Sequence, residues 1–202
     1  ILASTVFIAF NIRHLFPGFQ ALHHALFQVG SIITTTGFAT QDFNTWPELS
    51  KMILIFLMFF GACAGSTGGG IKISRILILM KSIKKELFSI VHPRSVQKIR
   101  VDGQVIEHDV IRSVNVFMAA YLLIIMLSIL IVSLENKDTV STVTSVITTL
   151  NNIGPGLELV GPVGNFSSFT ALSKFVFLFD MLAGRLEIFP LLILFMPDTW
   201  KK

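Results

Sequence analysis

Apolar residues gather into long blocks along this chain and do not alternate with polar ones. Three blocks stand out, 52–64, 114–134 and 175–196. Each block, alone or with its flanks, approaches the roughly 20 residues a helix needs to cross hydrocarbon. Two further stretches, 19–36 and 138–150, are apolar but carry uncharged polar residues: Gln28, Ser31 and three threonines in one, Ser and Thr throughout the other. They predict half-helices that enter a membrane and turn back. Residues 1–10 read as the last turns of a helix whose start is missing, so the chain is expected to be part of a larger protein.

The pattern recurs after about 120 residues, the mark of a duplicated unit. Leu49-Ser50-Lys51 opens an apolar run ending at Gly61, and Leu172-Ser173-Lys174 opens one ending at Gly184. Phe56 and Met58 in one run match Phe179 and Met181 in the other. Upstream of each lies a Thr-rich, uncharged stretch closed by glycine, Ser31 to Gly37 and Ser145 to Gly154. Aligning these by Ser-x-Ile-Thr-Thr requires a three-residue insertion before Gly154, whereas aligning by glycine displaces the threonines. Duplicated units in a membrane commonly surround a shared axis, where a substrate passes.

Charge fixes the orientation. Nine of the sixteen Lys and Arg residues lie between Lys72 and Arg112, and Lys201 and Lys202 close the chain after Trp200. Both regions are expected to be cytoplasmic and to touch anionic lipid. The helix before Lys72 then descends from outside, with Trp46-Pro47 suited to its start. It meets residues 61–70, where five of ten residues are glycine. Each glycine costs about 1 kcal/mol relative to alanine inside a helix, so a broken helix resuming near Ile71 is predicted. Irregular backbone at that depth must be buried in protein or line a wet cavity.

Residues 19–36 consequently start and finish on the outer side. An amphipathic helix on the surface is the alternative for them, but leaves the glycine-ended Thr run unexplained. In the second copy 112–134 ascends, 138–150 dips in, 151–164 returns and 166–196 descends. The expected fold is an all-α integral membrane protein of tandem M1–pore helix–M2 repeats of potassium-channel type, with a broken M2 helix. Residues 1–92 form one repeat (partial M1, pore helix, filter, broken M2), 93–107 a cytoplasmic linker and 108–202 the next repeat.

Composition agrees: 52% of residues are hydrophobic, 14% charged, and mean hydropathy is +0.75, where soluble domains carry about 25% charged residues. The basic residues behind the net charge of +4 cluster in the two regions expected to be cytoplasmic, so no nucleic-acid partner is read from them. The lone Cys63 excludes a disulfide framework. No nucleophile–base pair or metal-ligand spacing appears among the five histidines, so no enzyme is expected. Gly65-Ser-Thr-Gly-Gly-Gly70-Ile-Lys72 lacks the Gly-Lys-Ser/Thr order of a phosphate-binding loop.

A half-helix ending inside a membrane presents its partially negative C-terminus, which favours a cation. The loop beyond it can aim backbone carbonyls at an alkali ion in place of water. Residues 34–37 and 151–154 fit that chemistry, and neither stretch contains a carboxylate. Arg185 sits mid-helix, where an arginine costs about 2.5–3.5 kcal/mol on insertion scales. It must face protein or water; a salt bridge with Glu187, Asp180 or an absent half of the protein is the alternative to a pore role, though neither Glu187 nor Asp180 is well spaced for one.

Thr35-Thr-Gly-Phe-Ala39, Gly61-Ala-Cys-Ala-Gly-Ser-Thr-Gly-Gly-Gly-Ile-Lys72, Asn151-Asn-Ile-Gly-Pro-Gly156 and Gly184-Arg-Leu-Glu-Ile-Phe-Pro190 together resemble the Trk/Ktr potassium-uptake superfamily, in the form its TrkH-like membrane subunits carry. Members have four such units, and this chain resembles the third and fourth. The resemblance implies potassium uptake through a channel-like pore, with K+ as transported ion and no covalently bound cofactor. Thr35, Thr36, Gly37 and Phe38, and Asn152, Ile153, Gly154 and Pro155, would be two of four filter segments. Gly61, Gly65, Ser66, Thr67, Gly68, Gly69 and Gly70 would form a gating loop acting with Arg185. It further implies the missing first and second repeats, a homodimer, a cytosolic nucleotide-binding regulatory subunit of TrkA type, and a bacterial inner membrane. The alternative class is a secondary cation symporter with a broken-helix midplane site, which calls for inverted repeats. Here both copies enter and leave in the same sense.

Overall fold

A computed structural model describes residues 1–202 except Ala62, Ala64, Thr67, Arg94, Val96, Gln97, Glu187, Phe195, Pro197, Asp198, Lys201, Lys202 and the side chains of Leu192 and Leu194. The expectations placed on Thr67, Glu187, Lys201 and Lys202 therefore lie outside the described residues. Helices dominate: α1 (Leu2–Ile12), α2 (Phe19–Ile33), α3 (Glu48–Phe59), α4 (Ile73–Val91), α5 (His108–Ser133), α6 (Thr139–Leu150), α7 (Ala171–Arg185) and α8 (Ile188–Leu194). The strands are two-residue pairs: β1 (Phe60–Gly61) with β2 (Ile71–Lys72), and β3 (Arg100–Val101) with β4 (Gln104–Val105).

Among the described residues one helix, α5, is long and apolar enough to cross a membrane by itself. The other two apolar blocks are divided, and the reasons are local. Block 52–64 breaks where the glycines begin: α3 stops at Phe59 and α4 starts at Ile73. β1 and β2 run parallel, so the chain leaves the helix line and rejoins it travelling the same way. Block 175–196 was expected to descend as one helix from 166; instead α7 spans Ala171–Arg185, Leu186 is its C-cap, and α8 begins at Ile188. Pro190 has no N–H to donate to the Leu186 carbonyl, so the helix loses a rung there.

α6 is short and buried, with nine of its twelve residues inside, among them Thr142, Ser145, Thr148 and Thr149. Hydroxyls can be buried here because several turn back onto their own helix. Thr144 donates to the Val140 carbonyl (2.7 Å), Ser145 to Thr142 (2.9 Å) and Thr149 to Ser145 (2.8 Å). Asp138 caps the helix by accepting from the Ser141 N–H at 3.1 Å. Small side chains also let α6 lie close to its neighbours α5 and α7.

The units share core clusters. Ile8, Ile12, Val29, Ile32, Phe43, Leu54 and Met58 from the first pack with Ile147, Ile153 and Leu157 from the second. Between the units, the expected linker contains a hairpin. Asp102 and Gly103, both at positive φ (51° and 81°), make its two-residue turn. Lys51, in the first turn of α3, is 9% exposed and paired with Glu48. Its counterpart Lys174 donates to the Ser167 carbonyl at 3.0 Å.

Candidate functional site

The ends of α2 and α6 are built alike. Thr34 N–H reaches Gly30 and Asn151 N–H reaches Ile147; Thr35 reaches Ile32 and Asn152 reaches Thr149; Thr36 reaches Ser31 and Ile153 reaches Thr148. The Ser31 hydroxyl donates to the Phe38 carbonyl (2.6 Å), and the Thr148 hydroxyl to the Pro155 carbonyl (3.2 Å). Thr35 and Asn152 both have φ 55°, and Gly37 and Gly154 are positive at 79° and 109°. The glycines therefore align without the three-residue insertion that matching Ser-x-Ile-Thr-Thr demanded. Backbone conformation, set by which residue takes positive φ, fixes the register; the shared threonines do not.

The length difference falls later. Asp42 and Asn165 each accept from the N–H two residues on, and so occupy equivalent places. Asp42 lies four positions after Phe38 and Asn165 ten after Pro155, so the second loop is six residues longer. Asn44 secures the extra length: its Oδ1 accepts from the Glu158 N–H at 3.0 Å and its Nδ2 donates to the Glu158 carbonyl at 3.4 Å. Nothing in the sequence marked Asn44 for that task.

Backbone groups inside a protein are nearly always paired. Among the described residues, the carbonyls of Thr35, Thr36 and Gly37, and of Asn152, Ile153 and Gly154, accept no hydrogen bond. These rows follow directly on helix C-termini, where the backbone dipole is partially negative. Positive φ at Thr35 and Gly37 brackets Thr36, and positive φ at Asn152 and Gly154 brackets Ile153. In a uniform strand successive carbonyls point opposite ways; alternating the sign of φ removes that alternation. The two rows also touch, since a Cβ added to Gly37 would overlap the Ile153 carbonyl oxygen. Phe38 is 71% exposed, Ile153 only 3%.

Below α6 sits the glycine-rich segment. A Cβ on Gly69 would overlap the Asn151 carbonyl oxygen, and one on Gly70 would lie 3.1 Å from Asn151 Oδ1. Gly61 closes the base of the excursion: a Cβ there would stand 2.5 Å from the Gly69 oxygen. Gly65 meets nothing within 4 Å, and the Ser66 hydroxyl accepts from the Gly68 N–H at 3.1 Å. From the other side Gly184 presses on α6, where a Cβ would overlap the Leu150 carbonyl oxygen. Asn152 Nδ2 donates to the Met181 carbonyl at 3.0 Å.

Arg185, Lys72 and Arg75 line one cavity of about 40 Å³ with Ser66, Gly68 and Gly70. Three cations thus gather immediately beneath the α6 end. Asp180, one candidate partner for Arg185, accepts instead from the Ser128 hydroxyl at 2.8 Å. Tyr121, unmarked in the sequence, also lines this cavity and donates to Asn151 Oδ1 at 2.8 Å.

Comparison with known proteins gives one consistent result. The TrkH family model, described as a cation transport protein, matches residues 14–202. The Trk system potassium uptake protein TrkH of Salmonella typhimurium is 41% identical over 181 residues, covering 90% of this chain and 37% of that protein. The Vibrio parahaemolyticus protein of the same name is 43% identical over 91% of this chain and 37% of its own length. The crystal structure of the potassium transporter TrkH from Vibrio parahaemolyticus superposes with a TM-score of 0.89 at 39% identity, covering 99% of this chain and 43% of that one. This chain thus spans about two fifths of the length of these relatives, and the all-helical membrane fold is common to them.

Proposed function

We propose, for a chain that belongs to the TrkH family of cation transport proteins, that its two glycine-ended rows of carbonyls line part of a potassium pathway. The observation that carries this is the pair of unbonded carbonyl rows, residues 35–37 and 152–154, each at the C-terminal end of a short inward helix. Neutral oxygens backed by helix dipoles replace the hydration shell of an alkali ion without holding it as tightly as carboxylates would. Phe38 and Pro155 end the rows; their carbonyls are already engaged by Ser31 and Thr148, which stiffens each turn. Potassium is the ion named for the relatives.

Residues 61–70 and Arg185 act as the barrier in this reading. The loop lies against the carbonyls at the end of α6, and the cations around the cavity beneath raise the energy of a cation there. Opening requires the loop to withdraw and the charges to be screened or moved. The family is one of transporters and not of enzymes. The complete protein would add two further units of this kind, residues 1–92 and 108–202 being the third and fourth, with 93–107 on the cytoplasmic side. A homodimer, a cytosolic nucleotide-binding regulatory partner and a bacterial inner membrane complete the reading.

The symporter alternative expects inverted repeats. Here the units are equivalent in the same sense, from Ser31 with Thr148 through Lys51 with Lys174, which supports the conductor. The test is a reversal-potential series with K⁺, Rb⁺, Na⁺ and Li⁺ on the complete protein in planar bilayers. A potassium-selective, voltage-driven current is expected. Strictly coupled, electroneutral flux with no reversal potential of its own would overturn the proposal.

A further inference from the structure

The end of α6 is held differently from the end of α2, although their backbones match. At the first position beyond the helix, α2 has Thr34, whose hydroxyl donates to the Gly30 carbonyl (2.8 Å) and pairs with Thr36 Oγ1 (2.7 Å). That unit secures itself. α6 has Asn151 there, fully buried. Its Nδ2 donates to the Ile147 carbonyl at 2.7 Å, which leaves Oδ1 facing out of the helix. Tyr121 of α5, 3% exposed, supplies the missing donor at 2.8 Å.

Asn151 is also where the glycine-rich loop meets α6, through Gly69 at its carbonyl and Gly70 near its Oδ1. Tyr121 stacks on Phe117 (6.2 Å, 22°), and Arg75, in the first turn of α4, lies over that ring at 4.0 Å. A continuous set of contacts therefore joins the resumption of the broken helix, through Phe117, Tyr121 and Asn151, to the carbonyl row of residues 152–154.

We infer that Tyr121 is a positioning residue for ion selectivity. Its hydroxyl fixes the Asn151 amide, and through it both the carbonyl row that follows and the seat of the glycine-rich loop. This rests on the pore reading above. Without the hydroxyl, Asn151 Oδ1 is a buried acceptor with no partner, so the amide turns to find one and the peptide beyond it loses its fixed orientation. The first unit has no such dependence because Thr34 bonds to its own helix.

The experiment uses the complete protein in planar bilayers under a K⁺/Na⁺ gradient, comparing wild type, Tyr121→Phe and Asn151→Leu. The reversal potential reports the permeability ratio irrespective of how many molecules are folded, so a loss of stability alone does not move it. Tyr121→Phe is expected to raise Na⁺ permeability relative to K⁺ by about threefold to tenfold, the equivalent of one lost hydrogen bond. Asn151→Leu, which keeps the branching at Cγ and removes the acceptor together with the Nδ2 donor, shifts the potential the same way, and adding Tyr121→Phe to it shifts it no further. A wild-type reversal potential in Tyr121→Phe, or an undiminished effect on the Asn151→Leu background, overturns the assignment. A wild-type protein with no preference for K⁺ overturns the pore reading itself.

Discussion

Gly37 of the first unit faces the Ile153 carbonyl of the second with no room for a side chain between them, and Pro155 Cδ would stand 3.2 Å from a Cβ placed there. Gly154, the equivalent glycine, meets nothing within 4 Å and is constrained only by its φ of 109°. Alanine at Gly154 is therefore expected to cost about 1–2 kcal/mol of backbone strain. At Gly37 the overlap adds about 1–3 kcal/mol. Thermal unfolding of the two variants in detergent checks the order, and the larger loss of potassium selectivity is expected from Gly37→Ala. Equal effects would mean that the two carbonyl rows are not in contact.

Gly69→Ala and Gly184→Ala each drive a methyl into a carbonyl at the end of α6. Both are expected to displace the neighbouring segment and raise basal cation flux; a barrier lowered by about 1.4 kcal/mol gives about tenfold. Gly65→Ala, with open space around it, is expected to change the flux less than either. Flux of ⁸⁶Rb⁺ into proteoliposomes distinguishes them. Arg185→Ala is expected to act in the same direction as Gly69→Ala by removing a fixed positive charge.

Cys63 is exposed within the glycine-rich segment and is the chain's one cysteine. A membrane-impermeant thiol reagent is expected to label it, and a bulky adduct to keep the segment from returning to its seat on α6. Labelling that leaves the flux unaltered would separate the segment from control of transport.

Asp180 in α7 and Ser128 in α5 are both buried and bonded at 2.8 Å, while Asp180 Oδ2 has no partner among the described residues. Ser128→Ala is expected to lower stability by about 1–3 kcal/mol, because it strands a polar group inside the bundle. Asp180→Asn, which can still accept from Ser128, is expected to cost less. Thermal unfolding in detergent gives the ranking, and a neutral Ser128→Ala would argue that water or another part of the protein satisfies the carboxyl.

Much of this architecture was legible because its causes are local. The apolar blocks, the uncharged Thr-rich half-helices and the run of glycines each limit the backbone directly, and Lys51 with Lys174 marked the duplication. The register of the two glycine-ended turns was not legible. Shared Ser and Thr letters pointed one way, while the deciding property is positive φ at Thr35 and Asn152, which asparagine tolerates but threonine does not advertise. Pro190 gave a signal for the break at Leu186, one that an unbroken apolar run conceals. Tyr121 and Asn44 act on partners far along the chain, Asn151 and Glu158, so no spacing in the sequence could show them.

The parallel clasp of Phe60–Gly61 with Ile71–Lys72 brings the two ends of the glycine excursion side by side. Its length and sequence can consequently drift without tilting α3 or α4, because the rod is spliced at its base and not through the bulge. Excursion and scaffold are thus separable inheritances. In the pore reading proposed above, evolution or an engineer can vary the excursion while the helices on either side of it keep their places.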